Sequence, residues 1–154
     1  MRDLAEKGIY TLPTEAKDEL ARVFSASFAT DAETADTIRR VFDTHGYLMD
    51  THTAVAYRVF EALSDTLGDA PCVVLSTASP YKFVSAVLSA LGHTPTGDGF
   101  ADMKELSRLS GTPVPYSLAK LASAAVHHTD ITDPCAMGDY VADTAPRIGG
   151  GAHA

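Results

Sequence analysis

Tryptophan is absent from the 154 residues, and cysteine occurs only twice, at Cys72 and Cys135. Two cysteines, one of them inside an apolar run, are too few for a disulfide framework. Positive charge is scarce: 12 Lys+Arg against 20 Asp+Glu leave a net charge of −8. That balance disfavours nucleic acid or an anionic membrane surface as the main partner, although a local site for an anionic small ligand is compatible with it. No apolar run approaches the roughly 20 residues that span a bilayer. The opening MRDLAEKGIY also lacks the apolar centre of a secretory signal, so the expected compartment is the cytoplasm. The short motifs of hydrolases, kinases and metalloproteases are missing, and no nucleophile stands beside a base. Adjacent His127 and His128 diverge on a helix and have no Cys or carboxylate at ligand spacing, which excludes a metal reading. Gly97 and Gly99 lack the strand-before, helix-after context of a phosphate loop.

A core is nevertheless expected. Hydrophobic residues make up 45% and charged residues 21%, the balance of an ordinary soluble domain of about this length. The expected organisation is a single unit over residues 1–148 and a flexible tail over 149–154. MRDLAEKG reads as the last turns of a helix stopped at Gly8, as though Met1 were once internal to a longer chain. Ile9 to Leu12 is a short extended candidate, and Leu20, Val23, Phe24 and Phe28 recur at helical spacing. Thr30 and Glu33 fit a capping box for a helix ending at Gly46. Tyr47 to Met49 is again short and apolar. Asp50 or Thr51 then caps a helix that buries Val55, Val59, Phe60, Leu63 and Leu67 and stops at Gly68.

Cys72 to Leu75 is an uninterrupted Val-rich run, which predicts a strand over about 71–77 buried on both faces, as in a parallel sheet. Ser79 and Pro80 open the next helix, with Phe83, Val84, Val87, Leu88 and Leu91 inward and Gly92 as its stop. HTPTGDGF is a loop by composition, DMKELSRL and PYSLAKLASAAV are short helices, and TDPCAMGDYVADTA is a final weak helix. The fold class is therefore α/β and rich in helix, with one buried parallel strand and at most two short extra ones. A strand buried on both faces needs neighbours, and this inventory supplies too few.

Two places carry candidate chemistry. Leu75-Ser76-Thr77-Ala78-Ser79-Pro80 runs from a strand end into a helix start, where α/β proteins collect ligands and free N–H groups face an anion. Ser76, Thr77 and Ser79 offer hydroxyls there, and Lys82 lies in the first turn. The bland alternative is a helix cap, a strand end and a solvated lysine. The second place is Asp50-Thr51-His52-Thr53, also at a helix start, where His52 is either a ligand or proton-transfer group or simply packs beside an Asp cap.

Taken together, Gly46-Tyr47-Leu48-Met49-Asp50-Thr51-His52-Thr53-Ala54-Val55-Ala56 and Leu75-Ser76-Thr77-Ala78-Ser79-Pro80-Tyr81-Lys82-Phe83 resemble the C-terminal part of threonine synthase. That family shows Asp-Pro-His-Thr-Ala-Val-Ala, followed about two dozen residues later by Ser/Ala-Thr-Ala-x-Pro-x-Lys-Phe. Gly111-Thr112-Pro113-Val114-Pro115 resembles its Gly-x-Pro-x-Pro turn, and Thr51 departs from the usual Pro. The resemblance covers nearly the whole chain. It implies a fold-type II enzyme that uses pyridoxal 5'-phosphate (PLP) to convert O-phospho-L-homoserine and water to L-threonine and phosphate.

It also implies that the Thr77 hydroxyl, with Ser76 beside it, meets the cofactor's ring nitrogen. His52 and Thr53 would then serve the cofactor or substrate side, and Lys82 would help to hold a phosphate. The family's Schiff-base lysine and phosphate loop have no counterpart among Lys7, Lys17, Lys82, Lys104 and Lys120. The chain is expected to be the C-terminal segment, inactive alone, with the N-terminal part of the same enzyme as its partner. The alternative is a stand-alone, non-catalytic module of the same fold that binds an anion or a protein.

Overall fold

The computed structural model describes residues 2–69, 71–127 and 129–149. The chain forms two compact units, Met1–Ala119 and Lys120–Ala154. The first contains α1 (Arg2–Lys7), α2 (Thr14–Val23), α3 (Asp31–His45), α4 (Thr51–Leu67), a 3₁₀ turn (Pro80–Phe83), α5 (Val84–Ala90), α6 (Gly99–Ser110) and α7 (Tyr116–Ala119). The second contains 3₁₀ turns at Lys120–Ser123 and Pro134–Ala136, then α8 (Met137–Gly149). Within it, Asp133 caps the second turn by accepting from the Cys135 N–H at 2.8 Å. His128 and residues 150–154, which include most of the expected tail, lie outside the described residues.

The core of the first unit is built by α3, α4, α5 and α6, with α3 packed on α4 and α5, and α5 on α6. Its centre holds Ile38 and Val41 of α3, Ala54 of α4, Val84, Val87, Leu88 and Ala90 of α5, and Leu106 of α6. Leu48, Met49 and Tyr81 close it from the connecting segments. Full burial of one such aliphatic side chain is worth about 1.5–3 kcal/mol. The ends of α3 follow from local chemistry. Both halves of the Thr30–Glu33 capping box are present, and Gly46 ends the helix at φ 66°, a conformation that costs a side chain with a Cβ.

Arg39 ties α3 to the end of α5. Its Nε donates to the Ala90 carbonyl at 2.8 Å, one of the carbonyls that a helix C-terminus leaves without a partner. Gly92 leaves room for that side chain: a Cβ there would stand 2.9 Å from Arg39 Nη2. On the outer face, Arg40 of α3 makes a two-pronged bond to Glu61 of α4, at 2.9 and 2.6 Å.

Several expectations need correction. No strand occurs among the described residues: 71–77 and 9–12 carry no ladder, and 48–50 is a buried connection preceded by the exposed Tyr47. The helix-rich part of the expected fold is present, whereas the expected strand forms no ladder among the described residues. The reason is physical. A ladder needs a second backbone alongside, and no described segment pairs with 71–77; Val73 and Leu75 are 81% and 72% exposed. The helix expected to carry Phe24 and Phe28 stops at Val23, and both rings are exposed. The buried positions of α4 are Thr53 and Ala54, near its start, whereas Leu67 at its end is exposed. The helix expected from Ser79 onward divides into a 3₁₀ turn and α5, although Val84, Val87 and Leu88 do face inward.

Candidate functional site

The two sequence motifs meet at the start of α4. Asp50 is the residue before the first turn and is fully buried. Its carboxylate accepts from the backbone N–H of His52 at 2.9 Å and of Thr53 at 3.4 Å, which satisfies donors that a helix start leaves free. It also accepts a short hydrogen bond from the Thr53 hydroxyl. The ring nitrogen Nδ1 of His52 lies 3.2 Å from the same carboxylate. A carboxylate only accepts, so in this contact a His52 proton sits on Nδ1. The His52 ring also packs against Phe83, with centroids 4.8 Å apart.

Burial alone would push the Asp50 carboxyl up. Its hydrogen bonds, led by that of the Thr53 hydroxyl and followed by the His52 N–H, more than offset this and hold it below the usual carboxylate range.

Ser76 reaches this cluster from the segment 71–77. Its Oγ lies 3.2 Å from Thr53 Oγ1. The single Thr53 proton goes to Asp50, so Ser76 must be the donor in this contact. Val74, the half-buried residue of the run 71–77, lines a small cavity of about 270 Å³ with Val41, Met49, Thr53, Tyr57 and Ser76. Thr77 follows, exposed, and its hydroxyl has no hydrogen-bond partner among the described residues. Ser79 accepts from the Tyr81 N–H at 3.3 Å and starts the 3₁₀ turn. Lys82 lies in that turn, exposed and without an ion pair among the described residues.

The structure thus brings Thr53 and His52 together around one carboxylate, joins Ser76 to them through Thr53, and places Thr77 next in the chain, but it gives Lys82 no contact with the group. Sequence reasoning treated Asp50 only as a cap and missed its place at the centre. The signal was there: an Asp three residues before a Thr at a helix start lets one carboxylate take both backbone and hydroxyl donors.

Asp102 was missed altogether. It is buried on α6, where Oδ1 accepts from the Thr96 N–H at 2.9 Å and the Thr96 hydroxyl at 2.7 Å, while Oδ2 has no partner among the described residues. The Thr96 N–H, followed by its hydroxyl, holds this carboxyl below the usual range.

An open cleft of about 750 Å³ is lined by His52 and by residues of α3, α4 and α5 such as Asp31, Ile38, Thr51, Val55, Ser89 and Ala90. No group of three or more His, Cys, Asp or Glu side chains that could hold a metal ion occurs among the described residues.

The family model described as "Threonine synthase, C-terminal" matches residues 53–135, more than half of the chain, including Thr53, Ser76, Thr77 and Lys82. The chain belongs to the threonine synthase family. The threonine synthase of Pseudomonas aeruginosa is 33% identical over 112 residues, covering 71% of this chain and 24% of that protein. The threonine synthase of Methylobacillus glycogenes is 38% identical over 72 residues, 47% of this chain and 15% of that protein. Among solved structures, a PLP-bound threonine synthase from Brucella melitensis superposes with a TM-score of 0.68 at 30% identity, over 92% of this chain and 26% of that one. The chain spans about a quarter or less of the length of these threonine synthases.

Proposed function

We propose that this chain is the C-terminal segment of a threonine synthase and supplies one wall of a PLP site, with both compact units belonging to that segment. The complete enzyme would convert O-phospho-L-homoserine and water to L-threonine and phosphate. The observation that carries this reading is the Thr77 hydroxyl, exposed and without a partner among the described residues, at the end of the segment 71–77 within the stretch that matches the family model.

The residues fit the ring-nitrogen end of the cofactor and no other part of it. A free hydroxyl can donate to a neutral pyridine nitrogen, and unlike a carboxylate it does not force that nitrogen to be protonated. The five lysines are all exposed, which supports placing the Schiff-base lysine in a part of the enzyme outside this chain. Bound PLP would supply the electron sink that stabilises carbanions as phosphate leaves and water adds.

The tasks left to this chain's residues are smaller. Thr77 orients the ring by its nitrogen. Thr53 and Ser76 shape the wall behind it. His52 presents Nε2 beside that wall, and Lys82 is the cation available for a substrate phosphate. On this reading the chain alone makes no threonine, and 71–77 becomes a strand only when the rest of the enzyme lies beside it.

The test is a pair of substitutions in the complete enzyme. Thr77→Val keeps the branched shape and removes the donor, which should lower PLP affinity by on the order of ten- to a hundredfold, whereas Thr77→Ser should retain most of it. Fluorescence titration of the cofactor reads the difference. Equal affinity for Val and Ser would remove Thr77 from the site.

A further inference from the structure

Asp50, Thr53 and Ser76 form a directed chain of hydrogen bonds that links the start of α4 to the segment 71–77. The buried carboxylate takes the Thr53 proton, and Thr53, left with acceptor capacity, takes the Ser76 proton at 3.2 Å. The segment 71–77 has no ladder to hold it, and its described anchors are the half-buried Val74 and this one hydroxyl. We propose that Asp50 and Thr53 are positioning residues for the Ser76–Thr77 pair.

They pin the end of the segment and commit the Ser76 proton inward, so that Thr77 carries the outward donor. The inference rests on the reading of Thr77 as the ring-nitrogen partner, and it explains why the second of two adjacent hydroxyls, and not the first, has that task. Ser76 offers a ligand only lone pairs, whereas a neutral ring nitrogen needs a proton donor.

The experiment uses the 154-residue chain without cofactor, diluted until light scattering reads a monomer, with ¹⁵N relaxation reporting backbone order at residues 75–78. The wild type should show order parameters near 0.85, the value of rigid backbone. Thr53→Val and Ser76→Ala should each lower them below about 0.6. The double variant should show no further loss, because the two side chains act through one bond. Thr53→Ser should restore wild-type order, and residues 56–66 of α4 should be unaffected in every variant.

Ser76 is exposed, so Ser76→Ala tests the same bond with little risk to folding. Unchanged order in both single variants, or a wild type already mobile at 75–78, would overturn the proposal. Because no cofactor is present, this outcome is separable from the Thr77 titration. If the segment is pinned but Thr77→Val binds PLP normally, the positioning stands and the functional reading fails.

Discussion

A buried carboxylate is retained only where donors surround it, and Asp50 has four: two backbone N–H groups, a threonine hydroxyl and a histidine ring. Its folded pKa lies below the ordinary 3.8. The stabilisation from this group is therefore complete above that value and is lost as the pH falls through the lower folded value. Asp50→Asn keeps an oxygen for the backbone N–H groups but exchanges charge-assisted bonds for neutral ones. It should cost about 1 kcal/mol at neutral pH. Urea unfolding of both proteins at a series of pH values checks this: the gap should be full at pH 7 and should close in strong acid. A gap that stayed constant into strong acid would mean that the carboxylate charge is not what these donors stabilise. The same chemistry bears on what could be read without a structure. Asp50 was visible as a cap because capping is local. The contact of its partner Thr53 with Ser76, 23 residues further on, was not, because nothing in the spacing of two small hydroxyl residues says that their segments meet.

At the level of the element, α3 is the helix whose limits were most legible, since Thr30, Glu33 and Gly46 act within one turn of its ends. Glu33 is held below the usual carboxylate range chiefly by the Thr30 N–H, then by the Thr30 hydroxyl, with Arg58 adding to it from α4. Thr30→Ala removes the hydroxyl half of the box and should destabilise the first unit by about 1 kcal/mol, measured as a lower urea midpoint with unchanged slope. Thr30→Ser should restore most of the loss. The inward face of α5 was legible for a similar reason: Val84, Val87 and Leu88 recur at helical spacing. The segment 71–77 shows where such reasoning stops. Its composition records a preference for burial on both faces, but a ladder is made with another stretch of backbone, and none pairs with it among the described residues. The apolar positions of α4 failed differently. Periodicity marked Val55, Val59, Phe60 and Leu63 as one face, but packing on α3 leaves them only half-buried.

Over the whole molecule, the apolar side chains that remain exposed trace what the proposed enzyme would cover. Leu20, Val23 and Phe24 on and just after α2, Phe28 beyond it, and Val73 and Leu75 on the segment 71–77 are between 49% and 81% exposed. Isolated exposed hydrophobics are ordinary, but an unladdered Val-rich backbone is a template for pairing with another chain. The chain alone should therefore self-associate, and replacing Val73 and Leu75 together with lysine should suppress this without lowering the melting temperature, since neither side chain contributes to the core. Light scattering after size-exclusion chromatography, with thermal unfolding on the same samples, reads both quantities. In the complete enzyme the same double substitution should have the opposite consequence. If 71–77 is there buried on both faces, two ammonium groups enter a site that cannot solvate them, at a cost of several kcal/mol each, and the enzyme should fail to accumulate as folded protein. A double variant that folds and binds PLP normally in the complete enzyme would show that these side chains stay in water, and the segment would then not be a central strand. A variant that instead lowers the melting temperature of the isolated chain would show that Val73 and Leu75 already pack within it.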